Sequence, residues 1–217
     1  MSESSTRLSQ AHYDYIVAHT QPQDEFLSEL RREAKQAGIP SISISAEQAS
    51  FMQILLKGAR AKQVVEVGTL AGYSAITMAR ALPADGHVTT VEFEPKHADF
   101  AEAWVKKSDV AGKVTVKRGA GVDVLPTLPD HSADAAFLDA DKVNYSKYLV
   151  EVLRIVRPGG LILVDNAFAF GHLLAEEEVS ESVAAIRAFN DEVHAHAGLH
   201  GVIVPLGDGL WVAHKPD

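Results

Sequence analysis

Short apolar runs alternate with helix-length amphipathic segments through most of this chain. Such alternation is typical of a mostly parallel sheet that is covered by helices on both faces. The last two runs are separated by a gap too short for a parallel crossover, so we expect them to pair antiparallel. The predicted strands are Gln63–Val67, His87–Val91, Val114–Lys117, Ala135–Leu138, Leu161–Val164, Gly201–Pro205 and Leu210–Ala213. The pattern therefore predicts an α/β fold with a doubly wound, seven-stranded sheet that ends in an antiparallel hairpin.

The residues before the first predicted strand show helical spacing instead. A helix is predicted over Asp24–Ala37, where apolar side chains share one stripe and Gly38 provides a stop signal. Ser45 and Gln48 have the spacing of a capping box, in which each side chain bonds the backbone of the other residue. They predict the start of a second helix.

A further helix is predicted between the fourth and fifth strands, from Tyr145 to Val156, with Pro158-Gly159-Gly160 as its stop. No internal repeat, low-complexity tract or linker interrupts the chain. We therefore expect one domain over residues 1–217, with 1–60 as a helical extension and 61–217 as a cofactor-binding core. Ligands of open α/β sheets bind beyond the carboxyl ends of the strands, so we expect the binding and catalytic residues to follow the strands there.

The charge balance narrows the range of partners. The chain has 217 residues, of which 20 are basic and 29 are acidic, for a formal net charge of −9. This acidity argues against nucleic acid and against an anionic membrane surface, since both normally recruit clustered Lys and Arg. No run approaches the roughly 20 apolar residues of a membrane span, and the polar start Met1–Gln10 does not resemble a signal peptide. The absence of cysteine excludes disulfides and thiolate metal sites, and it fits a cytoplasmic location.

The first predicted strand ends in an acidic residue and a loop that contains two glycines. Gly68 and Gly72 give the spacing G-x-x-x-G, which lacks both the dinucleotide fingerprint and the Gly-Lys-Ser/Thr of a phosphate loop. Glu66 would repel a pyrophosphate on this loop but would suit a cationic ligand, which the glycines would let the backbone approach closely. Taken alone, Glu66 could equally be an acid at a solvated strand end.

The second predicted strand ends in Glu92, whose carboxylate can accept hydrogen bonds from both hydroxyls of a ribose. Charge-assisted bonds of this kind are worth roughly 1.5–3 kcal/mol each. Because Glu66 and Glu92 end consecutive strands, the pair predicts a nucleoside cofactor that carries a positive centre.

Four stretches of the sequence resemble a known family and carry most of that resemblance: Glu66–Ser74, Phe137–Tyr145, Val164–Phe168 and Gly207–Leu210. The family is that of the cation-dependent class I O-methyltransferases, which comprises catechol and caffeoyl-CoA O-methyltransferases and their bacterial relatives. The resemblance extends over nearly the whole chain. It implies a Rossmann-like fold, S-adenosylmethionine as methyl donor, a small aromatic acceptor and a homodimer.

The same resemblance implies roles for individual residues at the cofactor. Glu66, Gly68 and Ser74 should contact the methionine part of S-adenosylmethionine. Glu92 should hold the ribose, and Ala120, which follows the third strand, should lie near the adenine.

Oxygen-bearing side chains also follow the fourth and fifth predicted strands. Asp139 follows the fourth strand, and Asp165 and Asn166 follow the fifth. Neighbouring parallel strands deliver their ends to one edge of a sheet, so these donors should meet and hold a hard divalent cation. Mg²⁺ is the first choice, with Mn²⁺ or Ca²⁺ as alternatives, and open coordination positions would accept two vicinal hydroxyls. The resemblance assigns the three positions as metal ligands and also places Asp139 at the cofactor, whereas the simpler interpretation of each Asp is a cap on the following turn.

Lys142 lies three residues after Asp139 and is a candidate base for the proton of a phenolic acceptor. A neighbouring cation and partial burial would help this lysine lose its own proton. The alternative interpretation is a salt bridge from Lys142 to Asp139 or Asp141. We interpret Asp141 as a structural residue of the loop or as a residue that supports the metal ligands from behind.

The sequence leaves the acceptor open. The leading hypothesis is a metal-dependent O-methyltransferase that acts on a catechol-like or hydroxycinnamoyl-like molecule. The alternatives are a methyltransferase of the same fold that acts on nitrogen or a non-catechol acceptor, and a non-catalytic nucleoside-binding protein. The loop Phe168–Val179 either lines the acceptor pocket or is a solvated loop, and Asp208 is predicted to serve the turn between the last two strands.

Overall fold

A seven-stranded sheet organises the part of the chain that the computed structural model describes, residues 6–177 and 179–217. The strands are β1 Gln63–Val67, β2 His87–Glu92, β3 Val114–Arg118, β4 Ala133–Leu138, β5 Val156–Val164, β6 His200–Val204 and β7 Leu210–His214. They lie in the order β3-β2-β1-β4-β5-β7-β6. Strands β1 to β5 pair in parallel, and β7 pairs antiparallel with both β5 and β6. The predicted fold class and its terminal hairpin are therefore confirmed.

Helices cover both faces of this sheet. They are α1 Gln10–His19, α2 Glu25–Gln36, α3 Ala46–Gly58, α4 Tyr73–Ala81, α5 Pro95–Lys107, α6 Gly121–Val124, α7 Tyr145–Ile155 and α8 Glu181–Ala195. Helices α2 to α5 pack on one face around buried Met52 and Trp104. Helices α7 and α8 pack on the other face around Tyr148 and Phe189. Within the described residues, no helix has the length and apolar character needed to cross a membrane.

Helix α3 begins after its predicted N-cap, Ser45, and α2 begins after Asp24, which caps it and is the first residue of the helix predicted from sequence. Asp24 Oδ1 accepts a hydrogen bond from the Leu27 amide at 2.9 Å, and Ser45 Oγ accepts one from the Gln48 amide at 3.3 Å. Only this half of the predicted capping box forms, because the buried Gln48 side chain donates to Asp165 and does not accept a hydrogen bond from the Ser45 backbone amide. A partner distant in sequence therefore takes the place of the local one.

The boundary between α7 and β5 differs from the prediction. The sequence pattern predicts a helix that continues to Val156 and stops at Pro158-Gly159-Gly160, but α7 ends at Ile155 and β5 passes through that tripeptide. The residue before a proline disfavours helical backbone, and Val156 pairs with Ala133 of β4. Strand pairing therefore begins earlier on both β4 and β5 than the apolar runs indicate.

Backbone hydrogen bonds continue past the carboxyl ends of the parallel strands. The Asp139 amide donates to Val67 O at 2.9 Å, and the Asp165 amide donates to Leu138 O at 3.0 Å. The loops that follow β1, β4 and β5 therefore lie side by side at one edge of the sheet.

Gly68 permits the closest approach between two of these loops. Its φ of +103° lies in a region that other residues rarely adopt, and a Cβ atom placed on it would lie 2.1 Å from the backbone carbonyl oxygen of Asp139. The atom that excludes a side chain at position 68 is therefore a backbone atom of the protein and not an atom of a ligand. Position 68 requires glycine whether or not a ligand is bound.

We expect Gly68→Ala to destabilise the protein by at least about 2 kcal/mol, since the new methyl group must displace backbone and the φ angle becomes strained. The free energy of unfolding from urea denaturation measures this effect.

Gly58→Ala is the matched control for that variant. Gly58 is exposed at the end of α3, and a Cβ atom on it would meet no heavy atom within 4 Å. An alanine there should be neutral or stabilise by up to about 1 kcal/mol, because alanine favours helix more than glycine does. Equal stability of the two alanine variants would contradict the requirement for glycine at position 68.

Candidate functional site

A cavity of about 600 Å³ opens at the carboxyl ends of the parallel strands. The residues predicted from sequence that line it are Gly68, Ser74, Glu92, Ala120, Asp139, Lys142, Asp165 and Asn166. Ile42 from the loop before α3 and Phe170 from the loop after β5 add apolar surface. The fold therefore brings together nearly all of the predicted site residues.

Glu66 is the predicted residue that does not line the cavity wall. Its side chain is fully buried at the end of β1, and neither carboxylate oxygen has a hydrogen-bond partner within the described chain. Burial raises the pKa of Glu66 to about 8, and the nearby hydroxyls of Ser74 and Thr90 oppose that shift only in part. A buried carboxylate without a partner stabilises the fold poorly, and a positively charged ligand group would satisfy it.

Glu92 is held in place by the backbone. Its Oε2 atom accepts a hydrogen bond from the Leu70 amide at 2.7 Å, and its Oε1 atom accepts one from the Glu94 amide at 2.9 Å. Leu70 has a φ of +49°, so the chain adopts strained backbone where it presents this amide. Each carboxylate oxygen has a further lone pair, which leaves Glu92 able to accept hydroxyl donors from the cavity.

Ala120 lies directly before α6, where β3 ends and the chain turns back over the sheet. It lines the cavity together with its glycine neighbours at 119 and 121. The path of the backbone sets the position of Ala120 in the cavity wall, because alanine has no polar side chain that a hydrogen bond could hold. The structure thus places Ala120 on the same side of the sheet edge as Glu92.

Asp139 and Asp165 line the same cavity, and their charges interact. Burial and the neighbouring Asp139 carboxylate raise the pKa of Asp165 to about 6. Burial also raises the pKa of Asp139, and the ammonium of Lys142 opposes this shift. Two carboxylates therefore share a poorly hydrated space with one lysine, an arrangement that favours binding of additional positive charge.

Lys142 lies between an acid and a tyrosine. Its Nζ atom donates to Asp139 Oδ1 at 3.0 Å and to the Tyr145 hydroxyl oxygen at 2.6 Å, and its side chain is 9% exposed. The ion pair to Asp139, which was the alternative interpretation of Lys142, is therefore present. Tyr145 was missed as a site residue, because its place on the apolar stripe of α7 identified it only as core.

Asn166 and Asp208 meet at the same edge. Asn166 Nδ2 donates to Asp208 Oδ2 at 3.1 Å, and the Phe170 amide donates to the same oxygen at 2.7 Å. With its nitrogen engaged, Asn166 has its Oδ1 atom left to accept a ligand. Asp208 thus does more than serve a turn, because it also links that turn to Asn166 and to the loop after β5.

Asp141 bonds within its own neighbourhood. Its Oδ1 atom accepts a hydrogen bond from the Tyr148 hydroxyl at 2.5 Å, and its Oδ2 atom accepts one from the side-chain Nδ2 atom of Asn144. Both partners hold the loop against α7, which agrees with the structural interpretation of Asp141.

The loop after β5 combines the two interpretations left open from sequence. Phe170 lines the cavity, whereas Leu174 is 88% exposed and Glu176 and Glu177 face solvent. Glu178, the last member of the acidic run, lies outside the described residues.

The predicted metal ligands comprise two carboxylates and one amide. In residues 6–177 and 179–217, no cluster of three or more His, Cys, Asp or Glu side chains is arranged to hold a metal ion. Any cation at this edge would thus depend on the amide oxygen of Asn166 in addition to Asp139 and Asp165.

Comparison with known proteins adds an independent finding. Residues 17–216 match the sequence profile of the family described as O-methyltransferase. The chain is 37% identical to a catechol O-methyltransferase of Niastella koreensis over 187 residues, which cover 85% of each protein. It is 38% identical to a catechol O-methyltransferase of Mycobacterium tuberculosis over 168 residues, which cover 77% of this chain and 76% of the relative.

Solved structures agree with this assignment. The O-methyltransferase from Bacillus cereus in complex with SAH superposes with a TM-score of 0.85 at 30% identity, covering 94% of this chain and 97% of that one. Sequence profile, relatives and fold all point to the family that the motifs around Glu66, Asp139 and Asp165 resemble. The chain therefore belongs to the O-methyltransferase family and is an S-adenosylmethionine-dependent O-methyltransferase.

Proposed function

We propose that this enzyme methylates one hydroxyl of a vicinal-diol aromatic compound, either catechol-like or hydroxycinnamoyl-like, with the help of a divalent cation. The observation that carries the proposal is the acidic pair Asp139 and Asp165, which lines the same cavity as the cofactor residues. Together with Asn166 it offers oxygen donors only, the set that Mg²⁺ prefers and that Mn²⁺ or Ca²⁺ also accepts.

At the cofactor, we assign Glu66 to the positive charge of the methionine part, with Gly68 and Ser74 beside it. The support for Glu66 is its buried and unpartnered carboxylate. Glu92 is assigned to the ribose hydroxyls because its backbone-held carboxylate faces the cavity with free lone pairs. Ala120 is assigned to the adenine.

In addition to its place among the proposed metal ligands, Asp139 is assigned a place beside the cofactor. It belongs to the loop that packs directly against Gly68.

The proposed reaction is a direct transfer. A lone pair of the acceptor oxygen forms the new bond to the methyl carbon, and the bond from that carbon to the cofactor sulfur breaks with its electrons staying on sulfur. When bound, a divalent cation would supply positive charge that lowers the pKa of the acceptor hydroxyl. The acceptor proton moves to Nζ of Lys142, which has to be in its neutral amine form to accept it and which Asp139 and Tyr145 hold at the edge of the cavity. Holding the reacting atoms in line contributes the rest of the acceleration.

Three further proposals concern the whole protein. We infer that residues 1–217 form one domain, because the N-terminal helix α3 packs into the same core as the sheet. A homodimer is supported by α1, which buries none of its side chains within the described chain and exposes Tyr15 and Val17. A cytoplasmic location is supported by the absence of cysteine.

Methylation of a catechol panel by labelled S-adenosylmethionine tests the proposed function directly. With Mg²⁺ present we expect transfer to at least one vicinal diol, and with chelator we expect transfer to fall to background. Methyl transfer that continues in the presence of chelator would contradict the proposed dependence on a divalent cation. Transfer confined to amines or to isolated hydroxyls would favour the alternative of a different acceptor.

Lys142→Met should lower kcat by at least about 100-fold, the usual contribution of a general base. The affinity for S-adenosylmethionine, measured by calorimetry, should change by no more than about 3-fold, because the reaction loses a base and the cofactor contacts stay. Lys147→Met is the control, since Lys147 is exposed on α7 and its Nζ bonds Asn144 at 2.8 Å. If the two variants turned over at the same rate, Lys142 would not be the base.

Glu66→Gln should raise the stability of the cofactor-free protein at alkaline pH. Burial raises the pKa of Glu66 from 4.5 to about 8, so the fold favours the protonated form. The stability contributed by that form is present below pH 4.5 and is lost as the pH rises toward about 8. Glutamine does not ionise, so the gain in Tm of the variant over the wild type should widen between about pH 5 and about pH 8.5.

The same variant should bind S-adenosylmethionine roughly 10–100-fold more weakly, because it loses a charge-assisted contact worth roughly 1.5–3 kcal/mol. Glu29→Gln, at an exposed position of α2, is the control for a general charge effect. Wild-type affinity in Glu66→Gln would remove Glu66 from the cofactor site.

A further inference from the structure

One buried side chain joins the N-terminal helices to the acidic edge of the sheet. Gln48 lies in the first turn of α3 and is 1% exposed. Its Nε2 atom donates to Asp165 Oδ1 at 2.7 Å, across 117 positions of sequence. Gln48 is not part of the cavity wall, and its hydrogen bond to a residue of that wall goes to Asp165.

The turn between β6 and β7 closes around the same amide. A Cβ atom on Gly207 would lie 2.2 Å from Gln48 Oε1, so this glycine leaves the space that the amide occupies. Gln48 is therefore enclosed by α3, by the end of β5 and by the hairpin turn. Such packing on several sides limits rotation of the amide and keeps its nitrogen directed at Asp165.

The hydrogen bond from Gln48 to Asp165 contributes more to the orientation of the Asp165 carboxylate than to the stability of α3. The start of α3 is capped by Ser45, which bonds the backbone amide of Gln48 and not its side chain. On Asp165, by contrast, the Gln48 nitrogen takes one acceptor position of Oδ1, and the Asn166 backbone amide also interacts with this carboxylate. A carboxylate that is held by such donors presents its remaining lone pairs in a defined direction.

We infer that Gln48 is a positioning residue that orients Asp165 toward a divalent cation. The inference rests on the metal site in the proposed function, and it adds a residue from the N-terminal helices to that site. Residues that bond metal ligands in this way typically change metal affinity by about 10–100-fold when they are replaced.

Gln48→Met tests the inference, because methionine has similar length and volume but no donor. The probe is Mn²⁺ alone, added to the wild type and to the variant without cofactor or acceptor, with free Mn²⁺ followed by electron paramagnetic resonance. We expect the variant to bind Mn²⁺ about 10–100-fold more weakly. Its affinity for S-adenosylmethionine should stay within about 2-fold, since Gln48 touches no assigned cofactor residue.

Gln53→Met on the same helix is the matched control. Gln53 is half-buried, and its Nε2 atom donates to the backbone oxygen of Thr77 at 2.6 Å, away from the acidic edge. This variant loses a comparable hydrogen bond, and its affinity for Mn²⁺ should equal that of the wild type.

The outcomes separate the two proposals. A folded Gln48→Met protein with wild-type Mn²⁺ affinity overturns the positioning role and leaves the metal site standing, even if the Tm of the variant is lower. A wild-type protein that binds no Mn²⁺ overturns both. If Gln48→Met does not fold, Gln48→Asn takes its place. This shorter amide cannot span the distance to Asp165, so the same loss of Mn²⁺ affinity is expected and unchanged affinity overturns the inference.

Discussion

The backbone carbonyl of Asp139 lies where a side chain at position 68 would have to go, and this close approach joins two loops of the site. Parallel pairing of β4 with both β1 and β5 brings three carboxyl ends to one edge of the sheet. The glycine then lets the loop that follows β1 lie directly against the loop that bears Asp139 and Lys142. Cofactor and acceptor chemistry are thereby brought side by side, and the cavity, the acidic pair and the lysine all depend on this contact.

The same edge concentrates negative charge that the protein neutralises only in part. Glu66 is buried without a hydrogen-bond partner in the described chain, and burial raises the pKa values of Asp139 and Asp165. Such groups reduce the stability of the ligand-free fold, because removing charge from water is unfavourable unless an opposite charge compensates. A cationic cofactor and the proposed divalent cation would each supply that compensation. Departures from a well-satisfied core thus coincide with the place where chemistry is expected.

Side chains that are distant in sequence brace this edge from outside the cavity. Gln48 of α3 bonds Asp165, and Asp208 of the hairpin turn bonds both Asn166 and the Phe170 amide. Each contact restricts the orientation of a side chain that faces the cavity. The N-terminal helices and the C-terminal hairpin therefore act on the same two positions at the end of β5, although neither carries a proposed metal ligand itself.

The sequence by itself determined the strands, their parallel arrangement and the residues at the strand ends, because period and run length are local properties and parallel strands share an edge. It also identified Glu66, Glu92, Asp139, Asp165 and Asn166 as the polar groups that end those strands. Only the tertiary structure decided the partners of the remaining polar side chains. Gln48 had the spacing of a local cap and Tyr145 the spacing of core, yet both reach groups on the acidic edge. Long-range packing selects one partner among many that the local pattern permits, and no periodicity in the chain records that choice.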